Sequence, residues 1–140
     1  MTRRFCLLVV AVALSGAIEG CRGGPYVPER IDQNTSTDRA RVLLVSSALR
    51  GTLQADNARV SWTSPDSRLK AELLLRNTSS KQIHVLLNSV FKDQNGNIVE
   101  EDSVWEHKLI QGYATMSYTR TALSEQAYDY TLQVKIAPVQ

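Results

Sequence analysis

The chain has 140 residues, with 16 lysines and arginines against 14 aspartates and glutamates, so its formal net charge is +2. This length allows one domain of ordinary size, and a nearly neutral chain lacks the concentrated basic face that nucleic-acid binding requires. Beyond the N-terminus, no apolar run approaches the roughly 20 residues of a membrane-spanning helix. Composition therefore excludes a second large domain, a nucleic-acid-binding protein and a bundle of membrane helices.

The first 20 residues have the three parts of an export signal. Arg3 and Arg4 form a short positive segment, and residues 5–18 are apolar over the length of a signal core rather than of a membrane span. The stretch ends in Ile-Glu-Gly-Cys at residues 18–21, which resembles a bacterial lipobox, where the cysteine is diacylated and becomes the new N-terminus. We therefore expect residues 1–20 to be a lipoprotein signal peptide and Cys21 to carry the lipid.

Two other interpretations of the N-terminus stay open, an ordinary signal peptide cut after Ala17 and an uncleaved anchor. Glu19 is an unusual residue two positions before the lipidated cysteine. A lipid with two acyl chains holds a protein stably on a membrane. Arg22, where an aspartate would signal retention in the inner membrane, favours the outer membrane by resemblance to lipoprotein sorting in Gram-negative bacteria. The expected location is thus the periplasmic face of the outer membrane.

Cysteine usage and composition divide the rest of the chain. Cys6 lies in the signal and Cys21 takes the lipid, so the folded part offers neither a disulfide nor a thiolate metal site. Residues 22–39 are polar, rich in Gly, Pro, Ser, Thr and Asn, and without periodicity. We expect residues 21–39 to be the lipidated cysteine with a flexible tether, and residues 40–140 to be the folded domain.

From residue 40 onward the pattern predicts strands. Apolar and polar residues alternate most clearly at residues 128–136, where Tyr130, Leu132 and Val134 share one face. Turn residues at 77–80 and the Asn-Gly pair at 95–96 separate further strands. The predicted strands are 41–46, 57–63, 69–76, 83–91, 98–107, 113–121 and 128–136.

Seven strands without a convincing helix predict an all-β fold, an immunoglobulin-like antiparallel β-sandwich of about seven strands. The cysteine pair of antibody domains is missing, so only the architecture is implied. Trp62 and Trp105 are the large residues that we expect to fill the core.

The same region resembles a known family. A strand ending in Leu-Leu-Arg-Asn at 74–77 is followed by Thr-Ser, by Ile-x-Val-x-Leu at 83–87 and by Phe-Lys-Asp-Gln-Asn-Gly at 91–96. Together with the lipobox, this pattern is similar to the YcfL-like family of small bacterial lipoproteins over residues 41–137. The resemblance implies an immunoglobulin-like fold and a place in the envelope. It transfers no site residue, because the family carries no established activity.

No catalytic set stands out. Serines are plentiful, but none lies in a Gly-x-Ser-x-Gly elbow, and no glycine-rich phosphate loop is present. We therefore expect no enzyme activity and no cofactor, and the sequence identifies no small-molecule substrate. His84 is expected to be an exposed surface residue. The segment Glu100–His107 joins four carboxylates to one histidine, but solvated charges at a strand entrance explain it as well as a cation site does, and we predict no metal site.

A possible partner-binding patch comes from Leu74, Leu86 and Val90. These residues lie on the nominally polar faces of neighbouring strands. If the strands pair through the turn at Asn77, the three side chains form a small apolar patch, which would dock a partner. The alternative is burial beneath a loop, a strand or the tether. Under the docking hypothesis, Leu86→Asp abolishes partner binding and leaves the fold intact.

The sequence thus favours a lipid-anchored, non-catalytic binding or accessory module of the cell envelope with an envelope protein as its partner. The lipid would raise the effective concentration of the domain near that partner, and an exposed edge strand offers a further mode of contact. The alternative is a lipoprotein subunit of a secretion system, resembling the small sandwich lipoproteins of type VI systems. A third possibility is a small-ligand or metal-binding module that uses residues 100–107.

Overall fold

The structure is a computed structural model that describes residues 29–30 and 40–138. The described chain contains one short 3-10 turn, Ser47–Leu49, and nine strands. The strands are β1 (Glu29–Arg30), β2 (Ala40–Leu44), β3 (Leu53–Trp62), β4 (Leu69–Asn77), β5 (Ile83–Lys92), β6 (Ile98–Glu101), β7 (Glu106–Ile110), β8 (Thr115–Thr121) and β9 (Asp129–Ile136). The predicted signal peptide and Cys21 lie outside the described residues. Within the described ranges, no helix has the length and apolar character that crossing a bilayer requires.

The strands form two sheets. The larger sheet has the order β1-β2-β9-β5, with β6 and β7 both on the far side of β5, and the smaller sheet has the order β3-β4-β8. The neighbouring strands are antiparallel, except that β2 and β9 run parallel. The predicted all-β, immunoglobulin-like sandwich is confirmed. The strand count exceeds seven because the predicted strand at 98–107 is divided and because β1, within the predicted tether, pairs with β2.

Alternation along the strands builds the core between the sheets. In β9, Tyr130, Leu132 and Val134 are buried, and the ring centroid of Phe91 on β5 lies 5.0 Å from that of Tyr130. Burial of each such side chain contributes about 1.5–3 kcal/mol to folding. Tyr118 brings a third aromatic ring from β8 of the smaller sheet.

The two tryptophans do not fill the core, and this expectation was wrong. Trp62 is the last residue of β3, at the end of the sandwich, and 47% of it is exposed. Trp105 lies in the gap between β6 and β7, and its ring centroid is 3.8 Å from the Lys135 Nζ of β9. Since β6 and β7 flank β5 on one side and β9 flanks it on the other, the Trp105 and Lys135 side chains meet across β5.

The gap between β6 and β7 divides one long edge strand. β6 pairs with residues 90–92 of β5 and β7 with residues 83–87, so four residues, Asp102–Trp105, leave the ladder. Asp102 fixes the start of this loop, because its backbone N–H donates to the Ser89 carbonyl at 3.0 Å and its Oδ2 accepts from the Ser89 N–H at 3.0 Å. Strand β6 therefore ends just before Asp102, where these two hydrogen bonds hold the chain against Ser89.

Asn77 carries the chain from one sheet to the other. This residue is fully buried, and its Nδ2 donates to the carbonyls of Lys81, Ile110 and Gln111 at 2.7, 3.2 and 3.0 Å. Its Oδ1 accepts from the backbone N–H and the hydroxyl of Ser79 at 2.9 and 2.8 Å. The predicted turn is present, but it is a crossing between sheets and not a hairpin.

The Asn-Gly turn does join β5 to β6 as predicted. Asp93 Oδ1 accepts from the N–H groups of Asn95 and Asn97 at 2.8 and 2.9 Å, and Gly96 has φ +84°. Both features are typical of turn residues that stabilise a hairpin connection.

The direction of β1 distinguishes the two ends of the sandwich. Glu29 lies beside Leu44 and Arg30 beside Leu43, so the chain enters β1 at the end where β2 finishes. We call this the entry end, which also holds the loops at 45–52, 78–82 and 111–114. The opposite, distal end holds the loops at 63–68, 93–97 and 122–128.

Candidate functional site

The structure does not bring the three residues of the predicted apolar patch together. Leu74 lies on the outer face of β4 in the smaller sheet, whereas Leu86 and Val90 lie on the outer face of β5 in the larger sheet. β4 and β5 do not pair, because the turn at Asn77 crosses between the sheets. The prediction that Leu74, Leu86 and Val90 form one patch was therefore wrong.

Each of the three residues has its own surroundings. Val90 is only 2% exposed, so it is not an accessible contact. Leu86 is half-buried and lies directly between His107 of β7 and Lys135 of β9. Leu74 is half-buried on a face that is otherwise polar. The three side chains therefore do not form one joint patch.

The carboxylates of the segment 100–106 are directed at separate partners. Within the described residues, no group of three or more His, Cys, Asp or Glu side chains is placed to hold a metal ion. Each carboxylate has its own partners. Glu100 accepts from the N–H groups of Leu123 and Ser124, Glu101 accepts from the Asn88 side chain, Asp102 accepts from the Ser89 N–H and pairs with Arg120, and Glu106 pairs with Lys108. His107 lies next to His84 instead, with 3.3 Å between Nε2 and Nδ1. As predicted, His84 is exposed.

A buried hydroxyl network joins the two sheets. The Ser89 Oγ of β5 lies 3.1 Å from the Tyr118 Oη of β8 and 3.2 Å from the Tyr130 Oη of β9. Burial raises the pKa of both phenols, most strongly that of Tyr130. Because the partners of Ser89 are phenols, it lacks the adjacent general base that would activate a nucleophile. The network joins β5 and β9 of the larger sheet to β8 of the smaller one through buried hydrogen bonds.

The edge strands of the two sheets differ in how readily they could pair with another chain. In the larger sheet, β1 has only two residues, and the opposite edge is broken at Asp102–Trp105. In the smaller sheet, β3 carries a bulge between Asp56 and Arg59, where Asn57 has φ +52°. Short strands and bulges prevent an edge from pairing with another chain. β8, by contrast, pairs with β4 from Thr115 to Thr121 without a shift, so its free edge is the longest continuous one in the described part of the chain.

The pattern of hydrogen bonds between β4 and β8 determines which backbone groups of β8 face outward. The Ala122 N–H donates to the Leu69 carbonyl at 2.8 Å and the Asn77 N–H to the Ala114 carbonyl at 2.9 Å, which aligns the even-numbered residues of β8 with β4. The odd-numbered residues therefore direct their N–H and C=O groups away from the sheet. These four residues are Thr115, Ser117, Thr119 and Thr121, and their small side chains are all exposed.

Exposed apolar side chains lie at both ends of this edge. Tyr113, which precedes β8, is 69% exposed, and Leu123, which follows it, is 74% exposed. The loop between β6 and β7 forms an open groove with Arg120 of β8, and Val104 in that loop is 75% exposed. An extended segment laid against β8 would thus meet eight backbone groups and apolar contacts at its ends. Sequence alternation predicts β8 but not its position at an edge, which depends on sheet order.

Comparisons with known proteins support the fold. No family model matches the sequence, and no curated protein matches it. The solved structure of cj0090 from Campylobacter jejuni aligns with a TM-score of 0.56 at 19% identity, over 69% of this chain and 97% of that one. A DUF1425 family member from Shewanella sp. pv-4 aligns with a TM-score of 0.55 at 18% identity, over 81% of this chain and 92% of that one. The chain shares their fold.

Proposed function

We propose that this protein is a lipid-anchored, non-catalytic binding module of the bacterial envelope, which captures an extended segment of an envelope protein on the edge of β8. The observation that carries the proposal is the continuous free edge from Thr115 to Thr121. The partner strand adds to the smaller sheet by β-augmentation. Hydroxyl or β-branched side chains in the partner suit the row of threonines, because such cross-strand pairs are favourable.

The free energies of edge pairing and of association explain why such a module needs an anchor. Eight backbone hydrogen bonds at about 0.5–1.5 kcal/mol net each give roughly 4–12 kcal/mol. Association costs about 4–15 kcal/mol in lost translational and rotational freedom. Edge pairing alone is therefore weak, and it becomes effective when the module and its partner are held at high local concentration. A lipid on Cys21 supplies that condition.

The entry of the chain into β1 orients the module. Seven residues lie between Cys21 and Glu29, and the eight Cα–Cα steps from one to the other span at most about 29 Å when fully extended. The lipid therefore keeps the entry end of the sandwich near the membrane. β8 runs from the entry end toward the distal end, so its free edge extends away from the membrane surface.

Membership of the YcfL-like lipoprotein family is part of this proposal. Its support is the fold shared with the DUF1425 protein, together with the lipobox-like residues 18–21 and the turn pattern at 77–96. The periplasmic face of the outer membrane is the proposed location.

A proline substitution tests the edge directly. The Thr119 N–H points away from β4, so Thr119→Pro removes an outward donor without removing a hydrogen bond of the sheet, which is where strands accept proline. Thr119→Ala is the matched control, because it removes the side chain and keeps the donor. In affinity capture with the full-length protein, a partner retained by the wild type and Thr119→Ala should be lost with Thr119→Pro.

Retention of the same partner by Thr119→Pro at wild-type levels would contradict binding at this edge. Thermal unfolding of all three proteins checks that the fold persists. If Thr119→Pro does not fold, Ser117→Pro, which also removes an outward donor, replaces it.

A further inference from the structure

The chain contains two histidines, and the fold places them side by side. His84 lies on β5 and His107 on β7, on diagonal positions of two paired strands, since His84 faces Leu109 and His107 faces Leu86. Both rings are exposed on the outer face of the larger sheet. Their centroids are 5.3 Å apart with an interplanar angle of 30°, and 3.3 Å separates His84 Nδ1 from His107 Nε2.

That separation is what a shared metal ion requires. Imidazole nitrogens bind Zn²⁺ at about 2.0–2.1 Å, and at a tetrahedral angle two such nitrogens are roughly 3.3–3.4 Å apart. We propose that His84 Nδ1 and His107 Nε2 together chelate one divalent transition-metal ion, with water in its other positions. Imidazole ligands suit Cu²⁺, Ni²⁺ and Zn²⁺, and the Irving–Williams order favours Cu²⁺ among them.

Proton positions permit this chelation without strong acid or base. In one tautomeric form of the metal-free pair, the ring nitrogen of one histidine donates its N–H to the lone pair of the facing nitrogen of the other. On binding, the donor ring transfers this proton to its second nitrogen, by way of solvent, so that both facing nitrogens present lone pairs. Two nitrogen–metal bonds form, two water molecules leave the ion, and no net proton is released.

The surrounding residues leave the site open. Leu86 and Leu109 occupy the other two corners of the same four-residue square. The Lys135 Nζ lies over the Trp105 ring, and Lys108 is on the opposite face of β7, with its Nζ 2.6 Å from Glu106 Oε1. The ion therefore has two protein ligands and exchangeable water, which predicts moderate affinity.

Metal titration of the full chain tests this site. Cys6→Ser and Cys21→Ser are included in every sample so that no thiol competes. Calorimetry with CuCl₂ and ZnCl₂ should give one ion per chain. His84→Asn and His107→Asn should each weaken binding by about tenfold or more, because the second imidazole binds within an already formed complex. Both residues are exposed, and a thermal unfolding curve verifies that each variant folds.

Spectroscopy separates chelation from loose surface binding. The electron paramagnetic resonance signal of Cu²⁺ should report two imidazole nitrogens in the background protein and one in each histidine variant. Equal affinities, or identical spectra, for the background protein and both variants would overturn the proposal. The site lies on the larger sheet and β8 on the smaller one, so this result and the partner-binding result are independent.

Discussion

A few individual residues place polar groups in the buried interior of this sandwich. Ser89, Tyr118 and Tyr130 place three hydroxyl groups between the sheets, and Asn77 satisfies three carbonyls at the crossing between them. Buried polar groups are tolerated where hydrogen bonds replace those lost to water, and one left unsatisfied costs about 1–3 kcal/mol. These residues therefore specify the sheet arrangement in addition to stabilising it.

The pH dependence of folding reports on Tyr130. Its pKa is raised by burial, so the folded state holds the phenolic proton more tightly than the unfolded chain does. This contribution to stability is complete below pH about 10 and is lost as the pH rises further, at up to about 1.4 kcal/mol per pH unit. In Tyr130→Phe we expect that loss above pH 10 to be smaller, with a cost of about 1 kcal/mol at neutral pH for one hydrogen bond of Ser89.

Urea unfolding of the wild type and Tyr130→Phe between pH 8 and 11 measures both effects. Tyr118→Phe is the control, since Tyr118 is the less buried of the two phenols. If the unfolding free energies of the wild type and Tyr130→Phe changed in parallel over this range, Tyr130 would not be the source of the stability lost at alkaline pH.

The predictability of individual residues follows from what alternation encodes. It identifies the buried face of β9, including Tyr130, Leu132 and Val134, because one parity persists along the whole strand. Alternation does not locate Trp62 and Trp105. The size of a side chain does not show that Trp62 ends a strand or that Trp105 lies where a strand is interrupted. The two histidines are individually unremarkable in sequence, and only the pairing of β5 with β7 brings them together.

At the scale of elements, the edge of β8 makes a direct prediction for amide exchange. The N–H groups of Tyr118 and Arg120 face β4, whereas those of Ser117 and Thr119 face outward. We expect the outward amides of the isolated protein to exchange with solvent much faster than the inward ones, because exchange of an inward amide requires local opening.

Hydrogen exchange followed residue by residue by NMR measures this alternation at low protein concentration. Binding of a partner strand should slow exchange at Ser117 and Thr119 and leave Tyr118 and Arg120 nearly unchanged. Uniformly slow exchange along β8 in the isolated protein would mean that the edge is already covered.

Element boundaries were predictable where local pattern decides them. β4, β5 and β9 have nearly the predicted bounds, because in each the residues of the buried face recur at every second position along the run. β3 begins at Leu53, four residues before its predicted start at 57, since the bulge at Asn57 shifts the parity within one strand. Turn residues at 77–80 are compatible with a hairpin and with a crossing between sheets. The candidate site was therefore not predictable, because an edge is a property of sheet order.

At the scale of the whole molecule, the proposed function depends on where the sandwich is held. The entry of the chain beside Leu44 places one end of the sandwich near the proposed lipid, and β8 extends from that end toward the other. In the proposed function, the anchor compensates for the weakness of edge pairing. The anchor and the edge should therefore be needed together.

Photo-crosslinking in living cells measures that joint requirement. A benzophenone amino acid replaces Thr119 in the full-length protein, and the same probe at Ser61 on β3, the opposite edge of the smaller sheet, is the positional control. We expect one dominant adduct from position 119, absent from position 61 and lost when Cys21→Ser removes the lipid. Equal adducts from the two positions, no adduct from position 119, or an adduct that persists at full yield with Cys21→Ser would contradict it.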